Sequence, residues 1–250
     1  MNFPTSYRSA ATCSLAAIAL LTTPGNAALV VTNGGFGTNS VNAQYIDDAS
    51  AGAQNDPAWF ESTASTNWIE GSWTNSDSTT FPSGTGPALL FDGGSATMGW
   101  TYQSLGTVTA TEISLGTLRI FSDFAEKTDG ASNGARFDIF TGNFSAADGT
   151  DVLGAGGITS LGTITLNASD QGLTAAAGNA SRQSNVFVGN IDISGLSIGD
   201  QVWLRIAESR DTAFTSGDLI VDNVSIAVVP ESSIALLGAF GVLGLLRRRR

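Results

Sequence analysis

Histidine is absent from the 250 residues, and cysteine occurs once, at Cys13. Their scarcity removes the commonest general base, the thiol nucleophiles and most zinc sites. Lysine is nearly missing too: Lys127 is the only one between residues 28 and 228, so Ser-Lys chemistry has little support. That stretch carries 21 acidic and 6 basic side chains, a net charge of −15. Phosphate binding needs a basic surface, so nucleic acid is excluded as a partner. Excess acid of this kind keeps a protein soluble outside the cell, with Ca²⁺ sites as a second use for it. Disulfides are impossible in a cysteine-free body, and stability must come from a core, for which about two hundred residues are enough. A long capped apolar run of 3.6-residue period is also missing, which predicts little helix.

Both ends carry segments to set aside before the fold is considered. Arg8 and the free amine form a weak positive region, Leu15 to Leu21 an apolar run, and Pro24-Gly25 a break. Asn26-Ala27-Ala28 supply small residues for signal cleavage, placed after Ala27, so that residues 1–27 are a signal peptide. Cys13 precedes the apolar run, which argues against a lipoprotein signal and removes the cysteine with the peptide. At the other end, Ile234 to Leu246 is uncharged for 13 residues before Arg247, Arg248, Arg249 and Arg250. As a helix it is about 20 Å long against a bilayer core of about 30 Å, a marginal single span. Four arginines prefer the cytoplasmic side and would halt export there.

The tail, residues 229–250, resembles the PEP-CTERM sorting signal of Gram-negative bacteria: a Val-Pro-Glu-Pro type motif, a short apolar helix and an Arg cluster. Val229, Pro230 and Glu231 match, and Ser232 stands where the family has its second proline. The resemblance implies an exosortase-type membrane protease and the export machinery as partners. It implies a transient stay in the inner membrane, then the cell envelope, the cell surface or extracellular polymer. An ordinary C-terminal anchor is the plainer reading.

Between these ends, residues 28–228 read as strands and turns. Ala28 to Thr32 suits a strand that enters a tight turn at Asn33-Gly34-Gly35-Phe36. Ala88 to Phe91 and Met98 to Tyr102, separated by Asp92-Gly93-Gly94, read as a hairpin. Ser-Leu-Gly-Thr recurs at Ser104, Ser114 and Ser160 at offsets of no solenoid period, and reads each time as a turn entering a strand. Further strands are expected at Ile113–Phe121, Ala135–Phe140, Gly157–Leu166, Val186–Ile193, Gln201–Ile206 and Leu219–Val228. The fold class is all-β, a sandwich or jelly roll.

Three short stretches resemble exported jelly rolls of the carbohydrate-binding-module type: Asn33-Gly34-Gly35-Phe36, Ala88 to Val108, and Asp222-Asn223-Val224-Ser225-Ile226. The resemblance implies a jelly-roll-like β-sandwich with adjacent first and last strands, and sugar as ligand. Gly37 replaces the glutamate that often holds a structural calcium in such domains.

Sugar binding needs flat aromatic faces beside planar polar groups. In Gln201 to Ile206 the period of two sends Val202, Leu204 and Ile206 to one face and Gln201, Trp203 and Arg205 to the other. The second face is a candidate sugar platform; alternatively a loop covers Trp203, and Arg205 pairs with a carboxylate. Trp59, Trp68 and Trp73 are a second candidate, with pinning of a long loop to the core as the plainer role. Asp148-Gly149-Thr150-Asp151 with Asp138, and Asp222, are candidate ligands of a structural Ca²⁺, although Asp turns explain most of them. No other cofactor is implied.

Catalysis would require two carboxylates about 5 to 9.5 Å apart, as in glycoside hydrolases. The body's glutamates, Glu61, Glu70, Glu112, Glu126 and Glu208, show no recognisable catalytic spacing. Two functions follow. One is an exported, non-catalytic surface or matrix protein that binds glycan; the alternative is a secreted polysaccharide hydrolase using a carboxylate pair.

Overall fold

The computed structural model describes residues 29–36, 58–61, 67–70, 88–91, 99–126, 133–147, 149–167, 182–210 and 219–230. Among these residues ten strands form two antiparallel five-stranded sheets. The front sheet has the order β1 (Phe60–Glu61), β4 (Trp100–Thr107), β9 (Gln201–Arg210), β6 (Asn133–Thr141), β7 (Thr159–Asn167). The back sheet runs β2 (Asn67–Glu70), β3 (Ala88–Phe91), β10 (Leu219–Pro230), β5 (Gly116–Glu126), β8 (Arg182–Asp192). Only β2–β3 and β6–β7 are successive strands paired in one sheet; every other link crosses to the opposite sheet. The all-β sandwich expected from the sequence is what the structure shows.

Alternation builds the core. Val202, Leu204 and Ile206 of β9, with Phe137 and Ile139 of β6, face Leu118, Ile120 and Phe124 of β5 and Leu219, Val221 and Val224 of β10 within one buried cluster. Side chains of this kind contribute about 1.5–3 kcal/mol each when fully buried. At the β7/β8 side the sheets approach closely through two glycines. A methyl group on Gly162 would come 2.5 Å from Ile191 Cδ1, and one on Gly189 2.6 Å from Ile164 Cδ1. Each isoleucine thus fills the space left by the other strand's glycine.

Several local expectations are corrected. Of the expected hairpin between Ala88–Phe91 and Met98–Tyr102, Met98 lies outside the described residues and Trp100 to Tyr102 do not pair with Ala88–Phe91: β3 lies in the back sheet between β2 and β10, while β4 lies in the front sheet between β1 and β9. Leu89 and Phe91 thereby face Leu105 across the core. The segment 29–31 is not a strand. Val30 N–H donates to the Leu105 carbonyl (2.9 Å), but Thr32 N–H goes to the Gln103 side chain (2.9 Å), so no ladder forms. The turn is present, with Asn33 and Phe36 at φ of 50°, and the Gly34 carbonyl accepts from Val224 N–H of β10 (2.8 Å).

Residues 110–115, expected in part as strand, form α1 (Ala110–Leu115), closed by a Thr109/Glu112 capping box and by Gly116 at φ 79°. Ser104 opens no strand either. Its Ser-Leu-Gly-Thr copy ends β4, with a bulge before Gly106. At the end of β8, Ser194 donates through its hydroxyl and its N–H to Asp192 and holds that carboxyl below its ordinary value.

A methyl group on Gly34 would overlap the Val224 carbonyl oxygen. Gly34→Ala is therefore expected to displace the N-terminal turn from β10 and destabilise by about 1–3 kcal/mol in a urea titration. An unchanged midpoint would contradict this packing.

Residues 1–27, expected as a signal peptide, the tail beyond Pro230, Trp73 and Asp148 lie outside the described residues, as do the side chains of Trp68 and Glu61. Among the described residues no helix is long and apolar enough to cross a membrane.

Candidate functional site

Strand register gathers an aromatic surface on the outer face of the front sheet. Phe60 lies opposite Tyr102, Tyr102 opposite Arg205, Ser104 opposite Trp203, and Trp203 opposite Phe140. Directly opposite residues share a face. Phe60 and Trp100 stack on Tyr102 with ring centroids 5.3 and 5.6 Å away, and Phe144 packs on Trp203 at 4.6 Å. Tyr102, Phe140, Val152 and Trp203 are the buried members of this second cluster.

The β6–β7 loop covers much of this surface. Trp203 is only 5 % exposed. Its Nε1–H donates to the Gly142 carbonyl (2.9 Å). The Tyr102 hydroxyl donates to the Ala147 carbonyl (2.9 Å) and accepts from Ala147 N–H (3.1 Å). Gly142 and Gly157 have φ of 137° and 82°, and a methyl group on Gly142 would overlap the Gly157 carbonyl oxygen, so the ends of the loop touch. A compact loop with touching ends, filled by its own Val152, fits the Ω-loop pattern.

An ionic network fastens the same loop. Arg205 Nη2 and Nε donate to Asp151 (2.8 and 2.9 Å), and Nη1 donates to Asp138 (3.0 Å). Asp138 also accepts from Arg136 Nε (2.7 Å) and the Thr163 hydroxyl (2.6 Å). The Arg205 guanidinium lies 5.9 Å from the Trp100 ring centroid, within cation–π range. Asp138 and Asp151 converge as their grouping in the sequence suggests, but upon a guanidinium. A divalent cation there would face a fixed positive charge, so these donors do not fit Ca²⁺. Asp222 lies apart in β10, buried, with its Oδ1 accepting from Asn223 N–H (2.7 Å).

Beside the loop a groove of about 450 Å³ remains, lined by Thr32, Ala58, Phe60, Gln103, Ser104, Ala146 and Trp203. Gln103 clamps one wall, accepting from Thr32 N–H and donating to the Thr32 carbonyl (3.2 Å). The Ser104 hydroxyl accepts from Gln201 Nε2 (2.7 Å) and Gly106 N–H (3.2 Å), which leaves its hydrogen to donate. Gln201, Trp203 and Arg205 thus share the outer face, as alternation predicts, with Arg205 engaged by the loop. Trp59 is 1 % exposed, packs on Phe36 at 5.3 Å and donates from Nε1 to the Asn33 carbonyl (3.2 Å), pinning the turn. Sequence reasoning missed Phe60, Trp100, Tyr102 and Phe140. The alternation Trp100, Tyr102, Ser104 was the available signal for part of that face.

No family model matches the chain, and no curated protein does. Similar solved structures include carbohydrate-binding modules. TmCBM61 in complex with β-1,4-galactotriose has a TM-score of 0.36 at 11 % identity, covering 76 % of this chain and 99 % of that one. The family 11 module from Clostridium thermocellum, in complex with a β-1,3-1,4-mixed-linked tetrasaccharide, has a TM-score of 0.31 at 19 % identity, with 76 % and 98 % covered. The MgGH51 α-L-arabinofuranosidase has a TM-score of 0.42 at 12 % identity over 81 % of this chain and 27 % of that enzyme.

Proposed function

We propose that the chain is an exported, non-catalytic protein that binds extracellular polysaccharide through the front-sheet groove. The observation that carries the reading is the composition of that groove. Phe60 and the small uncovered part of Trp203 offer apolar surface, and the Ser104 hydroxyl has a hydrogen to donate. A volume of about 450 Å³ is in the range of small-ligand sites, which combine apolar walls with a few placed polar groups. A sugar uses both: its C–H face against a ring, a hydroxyl toward Ser104. Any calcium would be a structural ion rather than part of this chemistry. The hydrolase alternative needs a pair of carboxylates facing a sugar bond, whereas Asp138 and Asp151 share one guanidinium.

Export by the signal peptide and sorting by the PEP-CTERM-like tail complete the proposal. The chain would pass through the inner membrane, meet an exosortase-type protease there, and end in the envelope, on the surface or in the extracellular matrix. A glycan array paired with a reducing-sugar release assay tests the function: binding without release is expected. Release that survives purification and disappears on replacing one carboxylate would establish the hydrolase instead. Mass spectrometry of the protein from its own host should find neither residues 1–27 nor Arg247 to Arg250; intact termini on the mature protein would contradict the sorting proposal.

A further inference from the structure

The sequence leaves the sandwich at a definite place. β10 finishes at Pro230, opposite Gly116, the first residue of β5. The Gly116 carbonyl also accepts from Ile193 N–H (2.8 Å), which sets the β8–β9 turn, residues 193–200, beside the strand end. Gly199 N–H donates to the Val108 carbonyl and Val108 N–H to the Asp200 carbonyl, both at 2.9 Å, so the turn is fastened at both ends. At its tip Ile198 is 70 % exposed, more than any other large hydrophobic residue among those described. The β6–β7 loop starts at this end as well, since Gly142 N–H donates to the Gln201 carbonyl.

Only Glu231, Ser232 and Ser233 separate Pro230 from Ile234, where the apolar run begins. Three residues reach roughly 10–11 Å when fully extended. The headgroup layer is about 5–8 Å deep on each side of the hydrocarbon. If Ile234–Leu246 enters a bilayer, the end of the sandwich holding Ile198 is brought to the headgroups. Tethering at that distance raises the effective concentration enough for a small apolar contact to be populated.

We propose that this end of the sandwich is a membrane-docking surface, with the lipid bilayer as partner and Ile198 as its inserted contact while the tail is in place. The proposal rests on the reading of the tail as a membrane segment. Asp192 and Asp200 beside the turn, with no basic side chain on residues 192–200, match it to zwitterionic rather than anionic lipid. Docking directs the opposite end of the sandwich away from the membrane.

The test uses the full chain in phosphatidylcholine vesicles containing brominated acyl chains, in a Cys13→Ser background. A bimane label is placed in turn at Ser197→Cys, at Gln183→Cys near the opposite end of β8, and at Gly241→Cys in the tail. Emission should be quenched at 241 and 197 and not at 183, and Ile198→Asp should abolish the quenching at 197. Quenching at 241 with 197 no different from 183 overturns the docking surface and leaves the tail reading standing. No quenching at 241 overturns both, and quenching at 197 that survives Ile198→Asp overturns the role of Ile198.

Discussion

Trp203→Ala is expected to lower the melting temperature by roughly 6–20 °C. The indole is 5 % exposed, packed against Phe144 and Tyr102, and bonded to the Gly142 carbonyl. Removing a buried Trp side chain costs about 3–5 kcal/mol, and about 2–4 °C accompanies each kcal/mol in a domain of 150–250 residues. The loss falls on the second cluster and the loop above it, so hydrogen exchange should rise first at Gly142 to Ala147. A sugar platform open to solvent predicts the opposite pattern, a small change in melting temperature with a large loss of glycan affinity. Scanning calorimetry of the variant separates the two, and a shift of only a degree or so would contradict the buried placement.

Arg205→Met carries the second large effect. It removes the charge facing Asp138, whose side chain is fully buried, and frees Asp151, the loop's ionic attachment. Stripping one partner from a buried ion pair costs about 3–5 kcal/mol. Asp138 keeps Arg136 and Thr163, so the lower part of that range, about 3 kcal/mol, is expected. Adding Asp138→Asn to Arg205→Met should recover part of the loss, because the buried carboxylate that has lost one of its two guanidinium partners disappears with it. In a urea double-mutant cycle the pair should show coupling of about 1 kcal/mol or more. Strict additivity would mean that the network does not act as a unit.

The inner half of this architecture was legible and the outer half was not, for a physical reason. Alternation along Gln201 to Ile206 assigns Val202, Leu204 and Ile206 to the core because period two is a local property of a strand. The same rule places Trp203 and Arg205 together outside but is silent on what lies over them. That cover comes from residues 61 and 54 positions away, Gly142 on Trp203 and Asp151 on Arg205. Asp92-Gly93-Gly94 reads as a turn in the sequence, and turn chemistry does not say whether the strand that follows stays in the same sheet. The helix at 110–115 did leave a local mark, the Thr109-x-x-Glu112 capping box. The Ser-Leu-Gly-Thr copy at Ser114 overlaps that helix and carries the competing signal of a strand entry. Phe60 joins the groove through its pairing with Tyr102, more than forty residues onward, a register no local pattern encodes.

The most direct test of the function is glycan binding by the intact protein and by Phe60→Ala. Phe60 is half-buried and stacked on Tyr102 at the groove, and it takes no part in the ion pairs that fasten the loop. Its truncation is therefore expected to cost less stability than Trp203→Ala while removing the ring available to a sugar. On the same polysaccharide panel, the intact chain should bind at least one neutral glycan, and Phe60→Ala should lose that binding while still melting cooperatively. A folded Phe60→Ala protein that binds as tightly as the parent, or a parent that binds nothing on the panel, would contradict the groove as a sugar site.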